Sequence, residues 1–136
     1  RKNVIGRDQY RKVEYRKLPS TGIASADKTL ENIHKVNSLR AFVGANYLLE
    51  IREAFAKTVS LMKPGAYMVL IVGNNHICGN IFDTQSYATE IIEHAGCSLE
   101  YKLVDEIKSH GLMTKRNKTA DLITREWILV FKKKAD

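Results

Sequence analysis

Apolar residues recur at helical spacing from Ala26 onward and predict the first regular element of the chain. Leu30 and Ile33 fall on one face, and Val36 extends that face by one turn. Asp27 is a candidate N-cap, because its carboxylate can accept a hydrogen bond from a free backbone N–H of the first turn. The segment before it, residues 1–25, has no sustained period and predicts an irregular, basic stretch.

A second helix is predicted after the interruption at Asn37 and Ser38, with Ser38 as its candidate N-cap. Its apolar residues are spaced by seven, four and three positions, which places them on one stripe: Leu48, Phe55, Val59 and Met62. The helix should end at Lys63-Pro64-Gly65, because neither Pro nor Gly continues a helix readily.

Three strands are predicted downstream. The first, Tyr67 to Val72, is apolar throughout, a pattern typical of a parallel strand buried on both faces. An Asn- and Gly-rich loop should follow from Gly73 to Phe82. The remaining elements are a helix from Asp83 or Thr84 through His94, a Gly96 stop, and strands from Leu99 to Val104 and from Trp127 to Phe131.

This order predicts an α/β fold. The first two strands and the helix between them fit a right-handed parallel strand-helix-strand unit. The last two strands have no helical pattern between them and should form an antiparallel hairpin at the sheet edge. Their connection, from Asp105 to Arg125, is far longer than the usual two to five residues of a hairpin, and loops of this length are usually either functional or disordered.

The 136 residues suit one domain, and their composition adds a charge signal. The net charge of +7 is concentrated in Arg1–Lys17, Lys115–Lys118 and Lys132–Lys134. Such clusters favour a polyphosphate partner, although a solvated basic surface would look the same. No apolar run is long enough to span a bilayer, and no secretory signal is present, so we expect a cytoplasmic protein without a membrane partner.

The two cysteines, Cys78 and Cys97, lack metal-ligand spacing, so we expect free thiols and no metal site. His76 has no partner at ligand spacing and should be a surface or packed histidine. Trp127 lies inside an apolar strand and should belong to the core.

Two segments of the chain carry a family resemblance. Leu61 to Asn75 reads Leu-Met-Lys-Pro-Gly-Ala, then an apolar strand, then Gly-Asn-Asn. Later, Arg116-Asn117 precedes Arg-Glu-Trp-Ile-Leu-Val-Phe-Lys-Lys at residues 125–133. In this order the segments resemble the carboxyl-terminal half of S-adenosylmethionine-dependent methyltransferases, in particular the amino-group DNA methyltransferases that modify adenine N6 or cytosine N4.

The resemblance implies a partial Rossmann-like methyltransferase sheet whose last strand is antiparallel and inserted beside the fifth. It also implies S-adenosyl-L-methionine as cofactor and methyl transfer to an exocyclic amino group of a DNA base. Two family motifs are missing from residues 1–136: the Gly-x-Gly cofactor loop and the Asn/Asp/Ser-Pro-Pro-aromatic catalytic motif. We therefore expect residues 26–136 to be the carboxyl-terminal half of a domain. Its upstream half should bind most of the cofactor, and no catalytic residue can be assigned here.

Candidate nucleic-acid contacts fall in two places. Asn74 and Asn75 end the Tyr67 strand, where their amides could bind a base edge or the cofactor, or merely suit a turn. The second group lies in the long late connection, where cations suit phosphates and where Arg and Asn also suit base edges: Lys115, Arg116, Asn117 and Lys118. The cations between Arg7 and Lys17 are further candidates, with Tyr10 and Tyr15 as possible stacking partners.

Three alternatives remain open at this stage. An RNA methyltransferase fragment would share the carboxyl-terminal pattern. A non-catalytic basic nucleic-acid-binding module would explain the charge but not the apolar strand after Lys-Pro-Gly. The third alternative is the half of another doubly wound enzyme with an anionic small-molecule substrate.

Overall fold

The computed structural model describes residues 4–108 and 123–135. Within this part, three helices and five strands follow one another in the α/β order expected from the sequence. Their bounds are α1 Ala24–Val36, α2 Ser38–Leu61, β1 Tyr67–Val72, β2 Asn75–Ile77, β3 Asn80–Phe82, α3 Thr84–His94, β4 Cys97–Glu106 and β5 Arg125–Lys133.

The three long strands form one sheet in the order β1-β5-β4, and both pairings are antiparallel. The predicted antiparallel β4–β5 pair is confirmed, and β4 is the outer strand of the described sheet, with β5 between it and β1. β1 and β4 run in the same direction, but β5 separates them, so these two strands are not hydrogen-bonded neighbours. The insertion of an antiparallel last strand is the arrangement that the resemblance implies.

One face of this sheet is covered by α2 and α3. Along β1, alternate side chains point to this inner face, where Leu70 is paired with Leu129 and Met68 with Phe131. Val59 from α2 and Ile92 from α3 complete the cluster and are fully buried. The alternation is the ordinary period of two along a strand, and it anchors both helices to the sheet.

The opposite face of the sheet is apolar and exposed. On β1, Tyr67, Val69 and Ile71 are 59%, 60% and 60% exposed, and on β4, Tyr101 and Leu103 are 64% and 54% exposed. The prediction that the first strand is buried on both faces is therefore wrong within the described residues. β1 also pairs with β5 alone there, so its other edge has no described neighbour.

A second apolar cluster holds α1 against α2, and one glycine permits the close contact. A Cβ on Gly44 would lie 3.0 Å from Leu30 Cδ2 and 3.4 Å from Phe82 Cε2. Phe82 is buried and stacks edge-on against Tyr87, with ring centroids 5.2 Å apart. The start of α2 thus packs beside the start of α3.

Helix ends depart from the sequence prediction in two places. Asn37, not Ser38, caps α2, since its side chain accepts a hydrogen bond from the Arg40 N–H at 3.0 Å. Asp27 lies inside the first turn of α1 and not at its N-cap; it accepts hydrogen bonds from Ser20 and Thr21. Gly96, with φ +116°, ends α3 as predicted.

Candidate nucleic-acid interface

The carboxyl end of β1 is the meeting point of several elements. Val72, its last residue, pairs with Trp127 near the start of β5. Gly73 follows, and an added Cβ there would lie 2.7 Å from Ile123 Cγ2 and 3.3 Å from the Arg125 carbonyl oxygen. Only a glycine lets the chain pass so close to the start of β5, so this residue fixes how tightly the two segments approach.

Asn74, predicted as a nucleic-acid contact, caps α3. Its Oδ1 accepts a hydrogen bond from the Gln85 backbone N–H at 3.1 Å, and its Nδ2 donates to Asp83 Oδ1 at 2.7 Å. The Gln85 side chain donates to the same Asp83 oxygen at 3.1 Å. Asp83 occupies the N-cap position but makes no side-chain cap bond itself, so Asn74 satisfies the helix terminus in its place. This anchoring role was not visible in the sequence.

Asn75 opens a short hairpin formed by β2 and β3. The hairpin turns through Cys78 and Gly79, which both have positive φ angles, +50° and +76°. Positive φ at both central residues is the geometry of a tight two-residue hairpin turn. Ile77 and Cys78 pack against the α1–α2 cluster, which orients the hairpin.

The hairpin exposes a cross-strand pair, His76 and Ile81, on its other side. These two side chains form one wall of a cleft of about 270 Å³. The opposite wall comes from the start of β5, and the complete lining is Asn74, His76, Ile81, Thr124, Arg125 and Trp127. An aromatic ring, an aliphatic side chain, a cation and several hydrogen-bonding groups therefore converge at the carboxyl end of β1.

Trp127 confirms the sequence prediction only in part. It packs against the inner cluster of the sheet, but it is half-buried and also lines this cleft. His76 is exposed, as predicted, but no pattern in the sequence indicates that it lines the same cleft as Trp127. A recognisable hairpin turn would have predicted that His76 and Trp127 lie close together. The turn here is Cys-Gly, which is not one of the usual sequence signals for a two-residue hairpin.

The four late candidates, Lys115, Arg116, Asn117 and Lys118, lie outside the described residues. The strands on either side of them are described. Arg125, at the start of β5, pairs with Glu106, at the end of β4, and their side chains approach to 3.5 Å. One residue beyond, the Ile107 N–H donates to the Thr124 carbonyl at 3.0 Å. The connection thus leaves and re-enters the fold beside the cleft.

The amino-terminal basic segment is tied to α2 by its aromatic residue. The Arg7 guanidinium lies 4.2 Å from the centre of the Tyr10 ring, and Tyr10 meets Phe42 edge-on at 5.0 Å. Glu14 pairs with Arg7 at 3.6 Å, and the hydrogen bond from the Arg11 backbone N–H lowers the pKa of the Glu14 carboxyl. Tyr10 therefore contacts both a cation and a second aromatic ring within the described residues.

No group of three or more His, Cys, Asp or Glu side chains in the described part of the chain could hold a metal ion. Cys78 and Cys97 are free thiols; burial raises the pKa of Cys97. Among residues 4–108 and 123–135, no helix is long and apolar enough to cross a membrane.

Comparisons with known proteins identify the fold. No family model and no curated protein matches the chain. Among solved structures, it is similar to TTHA0409 of Thermus thermophilus, a protein proposed to be a DNA modification methylase, with a TM-score of 0.51 at 18% sequence identity. The match covers 66% of this chain and spans 38% of that structure. The chain therefore has a methyltransferase-like fold.

Proposed function

We propose that this chain is the carboxyl-terminal part of an S-adenosylmethionine-dependent methyltransferase domain that modifies an exocyclic amino group of a base in DNA. The observation that carries the proposal is the β1-β5-β4 sheet, in which the antiparallel last strand is inserted between two strands of common direction. The similarity to a protein proposed to be a DNA modification methylase supports it. The motif segments before β1 and before β5 support the amino-group class.

The partner of this chain would be the amino-terminal half of the same domain. The outer sheet face offers a continuous apolar surface, formed by Tyr67, Val69 and Ile71 together with Tyr101 and Leu103. An exposed patch of this kind marks an interface, and the unpaired edge of β1 is a template for a further strand. A parallel strand on that edge and helices on that face would complete a Rossmann-like sheet.

The cofactor site would come mainly from that other half. Among residues 4–108 and 123–135, no carboxylate lines the cleft at the end of β1 to bind ribose hydroxyls. The sequence of residues 1–136 contains no Gly-x-Gly turn to approach a cofactor backbone. The described residues therefore do not form an S-adenosylmethionine site by themselves.

What this chain contributes, in our proposal, is the nucleic-acid side of the domain. The carboxyl end of β1 is where ligands bind in open α/β sheets. Arg125 and His76 are placed there, and the connection with Lys115, Arg116, Asn117 and Lys118 begins and ends there. A base in duplex DNA must leave the stack to be modified, and cations beside the pocket would hold its flanking phosphates.

The test is methyl transfer from tritiated S-adenosylmethionine by the full-length protein, with duplex DNA, RNA and a bulk protein mixture offered in parallel. We expect label in DNA, and nucleoside digestion should yield N6-methyladenine or N4-methylcytosine. Label in RNA alone would replace the DNA substrate with RNA. Label in C5-methylcytosine would overturn the amino-group assignment, and no transfer to any nucleic acid would overturn the proposal.

A further inference from the structure

We propose that the cleft at the end of β1 binds one unstacked nucleotide, with its base against Trp127 and Ile81 and its phosphate near Arg125 and His76. The inference rests on the proposed function and adds to it a nucleotide site with named contacts.

The size of the cleft favours a single nucleotide. Its volume of about 270 Å³ is just below the usual range of about 300–1,000 Å³ for small-molecule sites. One base with part of its sugar would fill such a space, whereas a whole nucleoside-based cofactor needs a larger one.

The chemistry of the walls favours a base with a phosphate attached. Trp127 is half-buried: it packs against the inner cluster of the sheet, which holds it in place, and it also lines the cleft. Aromatic side chains of this kind stack on unpaired bases of any sequence. Ile81 supplies an apolar contact from the facing wall, and Arg125 supplies a cation at the rim.

The polar atoms of the cleft are also pre-positioned. Asn74 is held by Asp83 and by the backbone of Gln85, so its amide has a fixed orientation at the cleft wall. A rigid polar wall beside an aromatic ring suits one flat, hydrogen-bonding ligand better than a mobile surface does.

The experiment uses the fact that Trp127 is the only tryptophan of the chain. Its emission therefore reports on this cleft alone. We would titrate the chain with a single-stranded DNA of eight nucleotides, and in parallel with an oligonucleotide of equal length and charge that has only abasic sites. We expect saturable quenching by the first and at least a fivefold smaller quench by the second.

Matched variants distinguish binding in the cleft from non-specific attraction by the positive charge of the chain. Arg125→Gln and Glu106→Gln each remove the same exposed ion pair, but only the first removes the cation at the rim. By anisotropy of a labelled oligonucleotide, Arg125→Gln should weaken binding several-fold and lower the log–log salt slope by about 0.7, whereas Glu106→Gln should not weaken it. His76→Ala should weaken binding, whereas His94→Ala, at the far end of α3, should not.

Trp127→Leu should weaken binding about tenfold, and Trp127→Phe should restore most of it, with both variants shown to be folded by circular dichroism. Equal quenching by the abasic strand, or equal affinity of the Arg125 and Glu106 variants, would overturn the nucleotide site. Methyl transfer by the full-length protein without quenching would refute this inference alone. Quenching without any methyl transfer would refute the proposed function alone.

Discussion

Asn74 caps helix α3 from eleven residues away: its Oδ1 accepts a hydrogen bond from the backbone N–H of Gln85 at 3.1 Å. The same amide donates to Asp83 Oδ1 at 2.7 Å. One side chain thus joins the end of β1 to the start of α3, and in doing so it fixes one wall of the cleft. Asn74, which the sequence predicts as a nucleic-acid contact, thus also has a structural role. Any contact that it makes with a substrate would depend on this role.

Replacing Asn74 by Ala should therefore lower stability. Loss of an N-cap interaction costs about 1 kcal/mol, and the substitution also removes the hydrogen bond from Asn74 Nδ2 to Asp83, which keeps only its bond from the Gln85 side chain. Urea denaturation followed by circular dichroism measures the change. Asn75→Ala is the matched control, because Asn75 lies next to it and makes none of the side-chain hydrogen bonds described. Equal losses for both variants would show that the cap contributes nothing.

The same substitution at two adjacent residues of β1 should lower stability by very different amounts. Leu70 faces the inner cluster, and Leu70→Asp should cost several kcal/mol, because it places an unpaired charge among apolar side chains. Val69 is 60% exposed, and Val69→Asp should cost at most about 1 kcal/mol, the span of strand propensities. Denaturation of the 136-residue chain tests the pair.

The same Val69→Asp variant tests the open sheet face in the full-length protein. There the amino-terminal half should cover Val69, so the substitution should become as damaging as Leu70→Asp. A full-length variant that melts like its parent would mean that the face stays open and that no further half packs on it.

Gly73→Ala should lower the stability of the protein, because Gly73 lies where the end of β1 passes close to the start of β5. The added methyl would lie 2.7 Å from Ile123 Cγ2, and overpacking of this kind costs about 1–3 kcal/mol. The double variant Gly73→Ala/Ile123→Ala removes the opposing methyl, so it should lose less than the sum of the two single variants. If the losses in unfolding free energy of the two single variants simply add in the double variant, the close contact between residues 73 and 123 is contradicted.

Stability at acid pH should depend on Asp27. Partial burial of its carboxyl raises the pKa, but hydrogen bonds from Ser20, Thr21 and Gly22 outweigh that effect and lower the pKa overall. A folded-state pKa below the unfolded value of about 3.9 stabilises the protein above that pH, and the contribution disappears as the pH falls through the folded pKa. Asp27→Asn should therefore be less stable than the parent at pH 6, and the difference should shrink towards pH 2. A constant difference in urea midpoint across this range would refute the hydrogen-bonded carboxylate.

Neutralising Lys115, Arg116 and Lys118 together should weaken DNA binding by the full-length protein. Each lost phosphate contact should reduce the log–log salt slope by about 0.9 on duplex DNA. Lys28→Gln, Lys35→Gln and Lys57→Gln form a control triple with the same charge change on the helices. If the two triple variants have the same salt slope of DNA binding, the late connection is a solvated loop that does not contact DNA.

The sequence predicts the long elements well, because each has enough residues to show a period. The α2 stripe that ends at Val59, the apolar run of β1 and the Gly96 stop all appear where expected. The β2–β3 hairpin was missed, since three-residue strands show no alternation and Cys78 is an unusual residue at positive φ. Strand order lies beyond any local pattern, because whether β5 pairs with β1 depends on contacts some sixty residues apart. Only the family resemblance implied that the last strand is antiparallel and inserted.

The candidate site shows the same limit. Asn74 was found because it ends an apolar strand, which is a local signal. His76 and Trp127 meet only because the hairpin folds back beside β5, and the sequence separates them by fifty residues. The exposure of the outer sheet face could not be predicted for a different reason. An apolar strand has the same sequence pattern whether its second face is covered by residues of this chain or by residues outside it.

The most direct test of the account compares two proteins in one assay: the 136-residue chain and the longer protein that includes the residues upstream of Arg1. Both receive tritiated S-adenosylmethionine and duplex DNA at equal concentration. We expect no transfer by the chain alone and transfer to base amino groups by the longer protein. Methyl transfer by the chain alone would contradict the proposal of an incomplete domain, and a longer protein that leaves nucleic acids unmethylated would contradict the proposed methyltransferase.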